Sequence, residues 1–253
     1  MDNILITGAA SGIGAATARL FHARGWKVGL LDVNEQALAT LAAELGNAWH
    51  ARLDVTDNDE VVRLVGEFAA LHGGELRLLF NCAGILRFGL FEQISQAEHA
   101  AILAINVQGL LNMTYAAYPY LKVTPGAQVI NMGSASGLYG TPHLASYSAS
   151  KFAVRGLTEA LELEWREQGI RVGDLMPPFV RTPMVTSQRF EPPALRRLGV
   201  NLQAEDVAQA CWQQAHGAAV HRAISVQFKL LYWADQVLPA FITRWVMGFL
   251  SRP

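Results

Sequence analysis

From Ile4 to Met176 the chain repeats one pattern: a short apolar run stops at a polar residue or a glycine, and a helical stretch takes over. The run Ile4 to Ile6 ends at Thr7-Gly8, Trp26 to Leu31 ends at Asp32, and Trp49 to Leu53 ends at Asp54-Val55. Arg77 to Phe80 leads into Asn81-Cys82-Ala83-Gly84, Gln128 to Met132 delivers Ser134, and Ile170 to Met176 breaks at Pro177-Pro178. Runs of this length alternating with helices predict parallel strands whose two faces are both covered by helices. In such sheets ligands bind beyond the carboxyl ends of the strands. Gly8, Asp32, Asp54, Asn81 and Ser134 all stand at strand ends, so one shared cleft is expected.

Helices are expected from about Gly12 to Arg24, Glu35 to Leu45, Asp57 (as cap) to His72, and Ser146 to about Glu167, with another from Ala204 to His216. Gln96 to Leu121 reads as one long helix carrying Asn106, a polar residue that needs partners if buried. Ala223 to Phe228 reads as a last strand. No repeat, linker or low-complexity segment divides the 253 residues. They are read as a single domain, 1–253, with a mobile flap over about 179–201 and an apolar tail over about 229–253.

Charge excludes some functions. The net charge is −1, so no basic surplus points to nucleic acid. Cys82 and Cys211 are far apart and outside any C-x-x-C pair, which disfavours a metal or redox motif and suits a reducing, cytoplasmic setting. The N-terminus enters an apolar run at once and reads as a strand, not a signal peptide.

Between the first strand and helix lies Gly8-Ala9-Ala10-Ser11-Gly12-Ile13-Gly14. Glycines let a backbone approach a phosphate closely, and the free N–H groups and dipole of a helix start favour the anion. Asp32 ends the second strand, where a carboxylate suits the diol of an adenosine ribose. The lesser alternative is a turn aspartate or a cap of the following helix. Tyr147 and Lys151 are four residues apart and share a helix face. An ammonium draws a phenol's pKa toward working pH, so the pair can serve as a general acid/base. Such pairs also arise by chance in many helices. Ser134 offers a hydroxyl to a substrate oxygen.

Taken together, these motifs resemble the classical short-chain dehydrogenase/reductase family over roughly residues 1 to 185, plus the last helix and strand. Thr7-Gly8-Ala9-Ala10-Ser11-Gly12-Ile13-Gly14 is similar to its cofactor motif. Asn81-Cys82-Ala83-Gly84 is similar to its Asn-Asn-Ala-Gly motif with Cys82 in place of the second Asn. Asn106, Ser134, Tyr147 and Lys151 resemble its catalytic tetrad in order and spacing. The resemblance implies a three-layer Rossmann-type fold, a doubly wound parallel sheet of about seven strands, and hydride transfer between a nicotinamide cofactor and an alcohol/carbonyl pair. It implies Tyr147 as general acid/base, Lys151 lowering its pKa and binding the nicotinamide ribose, Ser134 holding the substrate oxygen, and Asn106 holding a water that links Lys151 to solvent. Implied cofactor contacts are Gly8, Ser11, Gly12, Ile13, Gly14, Asp32, Asp54, Val55, Asn81, Ala83, Gly84, Tyr147, Lys151, Pro177, Val180 and Thr182. Where the family has Pro-Gly after the sixth strand, this chain has Pro177-Pro178, and the nicotinamide end is expected to be shaped differently.

Asp32 without basic neighbours (Ser11 precedes the second glycine, and Val33 and Asn34 follow the aspartate) predicts NAD(H) over NADP(H), because a carboxylate repels a 2′-phosphate. Leu138, Tyr139, His143, Phe179 and Met184 flank the expected reaction centre, Ser134 completing the substrate contacts; they predict a moderately large apolar secondary alcohol. Alternatives are an NADP-linked carbonyl or 3-oxoacyl reductase and a non-catalytic NAD(H)-sensing protein. No metal is expected. Family likeness implies a homodimer or homotetramer built on the helices headed by Gln96 and Ser146. Asp235 and Pro239 interrupt the tail, leaving about eleven mostly apolar residues, short of the roughly 20 that cross a bilayer. Closure of the protein's own core or a dimer interface is expected of it, ahead of a membrane-surface role using Arg244 and Arg252.

Overall fold

A computed structural model describes residues 1–188, 190–237, 241, 242, 245, 248 and 249. Arg244, Arg252 and Pro239 lie outside the described residues. Seven parallel strands form the central sheet: β1 (Asn3–Thr7), β2 (Lys27–Asp32), β3 (Trp49–Arg52), β4 (Leu78–Asn81), β5 (Gln128–Met132), β6 (Arg171–Met176) and β9 (His221–Ala223). Their order is β3-β2-β1-β4-β5-β6-β9, so the chain winds outward in one direction from β1 and then in the other from β4. The expected seven-stranded, doubly wound sheet is what forms.

Alternation along β1 shows how the sequence builds the layers. Ile4 and Ile6 enter one core with Phe21, Leu38 and Val207, contributed by α1 (Gly12–Ala23), α2 (Glu35–Glu44) and α9 (Ala204–Ala215). Leu5 points to the other face and joins Phe68 of α3 (Asn58–Ala70) and Met113. Successive side chains of a strand face opposite ways, so an uninterrupted apolar run fills two cores at once.

The long helix after β4 comprises α4 (Gln96–Leu103), a π-helical segment (Ala104–Gly109) and α5 (Leu110–Lys122). A capping box between Ser95 and Glu98 starts it. Its length and hydropathy would suit a membrane span, yet half of it is buried against neighbours including α3 and α6 (Ala145–Trp165). The π segment, which periodicity did not predict, contains Asn106.

Two expectations are corrected near the C-terminus. The run from Ala223 to Phe228 is not one strand. β9 ends at Ala223, and α10 (Val226–Val237) begins three residues later, where the Ser225 hydroxyl accepts a hydrogen bond from the Phe228 N–H at 3.2 Å. The segment 179–201, expected as a flap with a short helix, holds two short helices and also a strand pair that was not expected. Strand β7 (Val180–Arg181) pairs in parallel with β8 (Leu202–Gln203), and α7 (Pro183–Thr186) and α8 (Pro193–Leu198) lie between them.

Asp174 of β6 is register partner to His221 of β9. The Asp174 carboxylate, fully buried, meets the His221 Nδ1 at 3.0 Å, and the His221 Nε2 meets the Glu159 carboxylate of α6 at 3.0 Å. The pair fastens the edge strand from which α10 departs.

Candidate active site

The glycine turn closes on itself. Gly8 (φ +66°) and Gly12 (φ +50°) adopt backbone that side chains disfavour. A Cβ on Gly14 would lie 2.1 Å from the Gly8 carbonyl oxygen, and one on Gly8 would meet the Ala83 backbone at 2.9 Å. The Thr7 hydroxyl accepts hydrogen bonds from the N–H groups of Cys82 and Ala83, both 3.0 Å, and so pins the loop after β4 against this turn. Ser11 precedes α1 without a side-chain capping bond, and no acidic residue occupies the first turn. A helix start lined by glycine and left without a competing carboxylate suits a phosphate anion, so the residues present fit a dinucleotide's pyrophosphate.

Asp32 spans the turn: one carboxylate oxygen accepts from the Ala10 N–H at 3.1 Å, the other from the Asn34 N–H at 3.0 Å. It is not the cap of α2; Asn34 is, accepting from the Ala37 N–H at 3.1 Å. Asp32 lines a cleft of about 440 Å³ together with Ser11, Gly12, Ile13, Gly14 and Gly8.

At the cleft's other end stand Ser134, Tyr147 and Lys151. Ser134 follows β5 and caps a 3₁₀ turn (Ala135–Gly137), its Oγ accepting from the Ser136 N–H at 3.1 Å. That bond leaves the hydroxyl proton to be donated elsewhere. Tyr147 and Lys151 lie in the first two turns of α6, and the Lys151 Nζ is 5.5 Å from the phenol ring centre. The Nζ donates to the Met132 carbonyl at 2.7 Å. Burial pushes the Tyr147 phenol up to about 12, with a Ser134 hydrogen bond working the other way. Burial also draws Lys151 down to about 8, against the neighbouring Cys82 and Asp174 charges. The expected pull of the ammonium on the phenol is therefore not the controlling influence. The Nζ is turned to a carbonyl, and both groups are desolvated.

Asn106 is buried behind this wall. Its amide donates to the Ile85 carbonyl at 2.9 Å and to the Ser150 Oγ at 3.1 Å, while its Oδ1 accepts from the Ile85 N–H at 2.8 Å. It ties the loop after β4 to α6. A Cβ on Gly84 would sit 3.1 Å from that Oδ1 and 3.9 Å from the Lys151 Nζ, so Gly84 is the spacer between them.

Several residues expected at the cleft lie elsewhere. Asn81 faces the interior, donating to Thr114 Oγ1 and Asn131 Oδ1, both 3.0 Å, in a buried polar file that Asn131 extends to Thr158. Ala83 and Val55 line a small interior void beside Asn81, and Asp54 folds back on the N–H and hydroxyl of Thr56. Leu138 packs with Met176 and Phe228, away from the cleft. His143 (φ +66°) packs its ring, tilted by 43°, 5.0 Å from that of Phe190 and does not line the opening. Tyr139, Phe179, Met184, Pro177, Val180 and Thr182 do line it. Thr182 sits across from the glycine turn, where a Cβ on Gly12 would touch its methyl at 3.2 Å. Pro178 also faces the cleft. Reading the sequence missed Leu86 and Arg87 after β4, Thr141 and Leu144 before α6, and Val185 and Ala194 of the flap. Their one signal was a place in a loop leaving a strand's carboxyl end.

A doubly wound parallel sheet with a glycine turn and an acidic residue over one end of a cleft defines a Rossmann-type nucleotide-binding fold. Residues 2–192 match the family model for short chain dehydrogenase, and the chain belongs to the short-chain dehydrogenase/reductase family, whose oxidoreductases act on CH–OH and C=O groups. It is 34% identical over 213 residues to a 3-oxoacyl-(acyl-carrier-protein) reductase of Thermotoga maritima, covering 81% of this chain and 86% of that one. It is 33% identical over 210 residues to a cyclohexanol dehydrogenase of an Acinetobacter species, covering 81% and 84%. Among solved structures, a short-chain dehydrogenase/reductase from Burkholderia phymatum in complex with NAD superposes with a TM-score of 0.81 at 28% identity, covering 92% of each chain.

Proposed function

We propose that this protein is an NAD(H)-dependent dehydrogenase that interconverts a moderately large apolar secondary alcohol and its ketone, with Tyr147 as general acid/base. The observation that carries the reading is one cleft holding Ser134, Tyr147 and Lys151 at one end and Asp32 with the glycine turn at the other. The nicotinamide, when bound, supplies the hydride donor or acceptor. The side chains do the rest. Gly8, Ser11, Gly12, Ile13 and Gly14 hold the pyrophosphate; Asp32 accepts from the adenosine ribose hydroxyls. Lys151 spends one N–H on Met132 and keeps two for the nicotinamide ribose. Pro177, Val180 and Thr182 border the nicotinamide end. Ser134 turns its hydroxyl proton from the Tyr147 phenol to the substrate oxygen. Tyr147, protonated at neutral pH, gives that oxygen its proton during reduction and takes it back during oxidation. Asn106 positions the loop that walls the cleft, and Gly84 leaves room between Asn106 and the Lys151 Nζ. Asn81 and Ala83 act from behind, by holding the turn and the sheet in place.

The NAD choice rests on the Asp32 carboxylate held beside the glycine turn by Ala10 and Asn34, although Arg52 of β3, which the sequence reading did not count as a neighbour, is its register partner, and the substrate choice on Leu86, Leu144, Phe179, Met184 and Val185 around the cleft. A 3-oxoacyl substrate is the second reading, favoured by the Thermotoga relative. The free thiols Cys82 and Cys211 fit a reducing, cytoplasmic setting. Exposed Leu103, Leu111 and Tyr115 on the α4–α5 rod, with Phe152 and Leu163 on α6, support a homo-oligomer through those faces. The test is steady-state kinetics with NAD(H) and NADP(H) over apolar alcohols and ketones, 3-oxoacyl thioesters and polar sugars. Efficient turnover of sugars alone, or equal efficiency with NADP(H), refutes the reading. Tight NADH binding without turnover of any of them assigns the protein to the nucleotide sensors.

A further inference from the structure

Among the described residues, three charged ones line the cleft: Asp32, Arg87 and Lys151. Asp32 stands at the adenosine end and Lys151 at the catalytic end, and the proposed reaction uses both. Arg87 is left without a task. The residues credited with recognising the substrate's body are apolar and ask for no charge beside them.

The loop that carries Arg87 is tied down on both sides of it. Ile85 exchanges two hydrogen bonds with Asn106, and the Gly89 N–H donates to the His143 carbonyl at 3.1 Å. Between these ties Leu86 is buried in one cluster with Leu144, and Tyr147 packs against that cluster. The guanidinium is held as well. Its Nε donates to the Glu98 Oε1 at 3.0 Å and its Nη1 to the Leu86 carbonyl at 3.2 Å. Glu98 is itself anchored, because its Oε2 accepts from the Ser95 N–H at 3.2 Å and the Ser95 hydroxyl at 2.9 Å in the capping box that starts α4. The carboxylate therefore sets the angle of the arginine.

Stability does not account for the arrangement. Both partners are nearly half exposed, 45% for Arg87 and 44% for Glu98, and ion pairs in that setting add little. Recognition does. Of the five N–H groups of a guanidinium, two are engaged here. The rest, including both on Nη2, have no partner among the described residues. A planar fork held at a fixed angle matches paired anionic oxygens, and a neutral alcohol has nothing to offer it.

We propose that Arg87 is a specificity-determining residue that receives an anionic group of the substrate, so that the alcohol or ketone turned over here carries a carboxylate or phosphate besides its apolar body. This names the substrate class more closely and rests on the dehydrogenase reading of the cleft.

The test is steady-state reduction, with NADH, of three ketones built on one apolar chain: neutral, ending in a carboxylate, and ending in a phosphate monoester. Wild-type kcat/KM should favour at least one anionic ketone over the neutral one by about tenfold or more, the scale of one charge-assisted hydrogen bond. The favoured ketone tells which of the two anions is read. Arg87→Ala should bring the ratio to within about threefold of unity, through KM, because the contact is made in ground and transition states alike. Arg87→Lys keeps the charge without the fork and should retain only part of the preference. A neutral ketone handled as well as both anionic ones overturns the proposal and leaves the dehydrogenase reading standing. An anion preference that survives Arg87→Ala does the same. If no ketone is turned over, fluorescence titration of the NADH-bound enzyme with the same three compounds reads the preference from Kd. A preference that Arg87→Ala removes then upholds the proposed subsite while the dehydrogenase reading falls, and no preference sinks both.

Discussion

Removing the imidazole of His221 should test how the edge of the sheet is held. His221→Ala would leave the Asp174 carboxylate in the interior with its counter-charge gone. One of its oxygens already lacks a hydrogen-bond partner. Breaking a buried pair from one side costs about 3–5 kcal/mol. The contact with Glu159 adds at most about 1 kcal/mol, because that carboxylate is half exposed. For a chain of this size 1 kcal/mol moves Tm by about 2–4 °C, so a fall on the order of 10 °C is expected. The pH dependence has a definite sign. Burial works to lower the His221 pKa, but the hydrogen bond and charge of Asp174, helped by Glu159, outweigh it and raise the net value. Burial raises the Asp174 carboxyl too, against the pull of His221. Both raised values mean that the folded state holds protons more tightly than the unfolded one. The contribution of His221 is thus complete below its ordinary pKa of about 6.5 and is lost as pH climbs through the raised folded value. Differential scanning at fixed protein concentration should show the wild-type Tm falling across neutral to alkaline pH. The variant should start lower and vary less over the histidine range. A variant within about 2 °C of wild type, or a wild-type Tm that rises over the same range, would refute the reasoning.

Three further outcomes follow from the cleft. Tyr147→Phe should lower kcat by about 10²–10⁴-fold, while NADH affinity, read by fluorescence titration, stays within a few-fold. Asp32→Ala should narrow the difference in kcat/KM between NAD and NADP by raising efficiency with the phosphorylated cofactor; an unchanged ratio would remove Asp32 from the ribose site. Gly14→Ala forces a methyl into the Gly8 carbonyl, so NADH binding should be lost with a fall in Tm. A variant that binds NADH normally would show that the turn can open without consequence.

The strands were legible because each apolar run stops where the sheet stops, and most expected ends fall within one or two residues of β1 to β6. The direction in which a strand-end residue points was not. Asn81 and Cys82 are neighbours, yet Cys82, just past the end of β4, lines the cleft while Asn81, the last residue of the strand, bonds inward to Thr114. Asp32 and Asn34 could each have capped α2, and only geometry separated them. The boundary between β9 and α10 was hidden by an unbroken apolar run, although Ser225 ahead of Val-Gln-Phe was a capping signal that could have been read. The roles of Arg87 and the flap residues depend on contacts across the cleft that no local pattern encodes.

The π-helical segment at Ala104–Gly109 works as a phase shifter in a rod of 27 residues. Its wider turn takes up an additional residue, and each residue of a helix corresponds to about 100° of rotation. The π turn and the half after it can therefore face different neighbours: Asn106, within the turn, meets Ile85 and Ser150, while Met113, Ala117 and Leu121 stay in the core beneath α3. Deleting one residue in this stretch would give a more regular helix with almost the same hydropathy profile. The same deletion would swing one half about a quarter-turn against the other and part Asn106 from its loop. The irregular turn thus acts as an indexing device, setting the angle between a packing surface and a polar tie on a single rod.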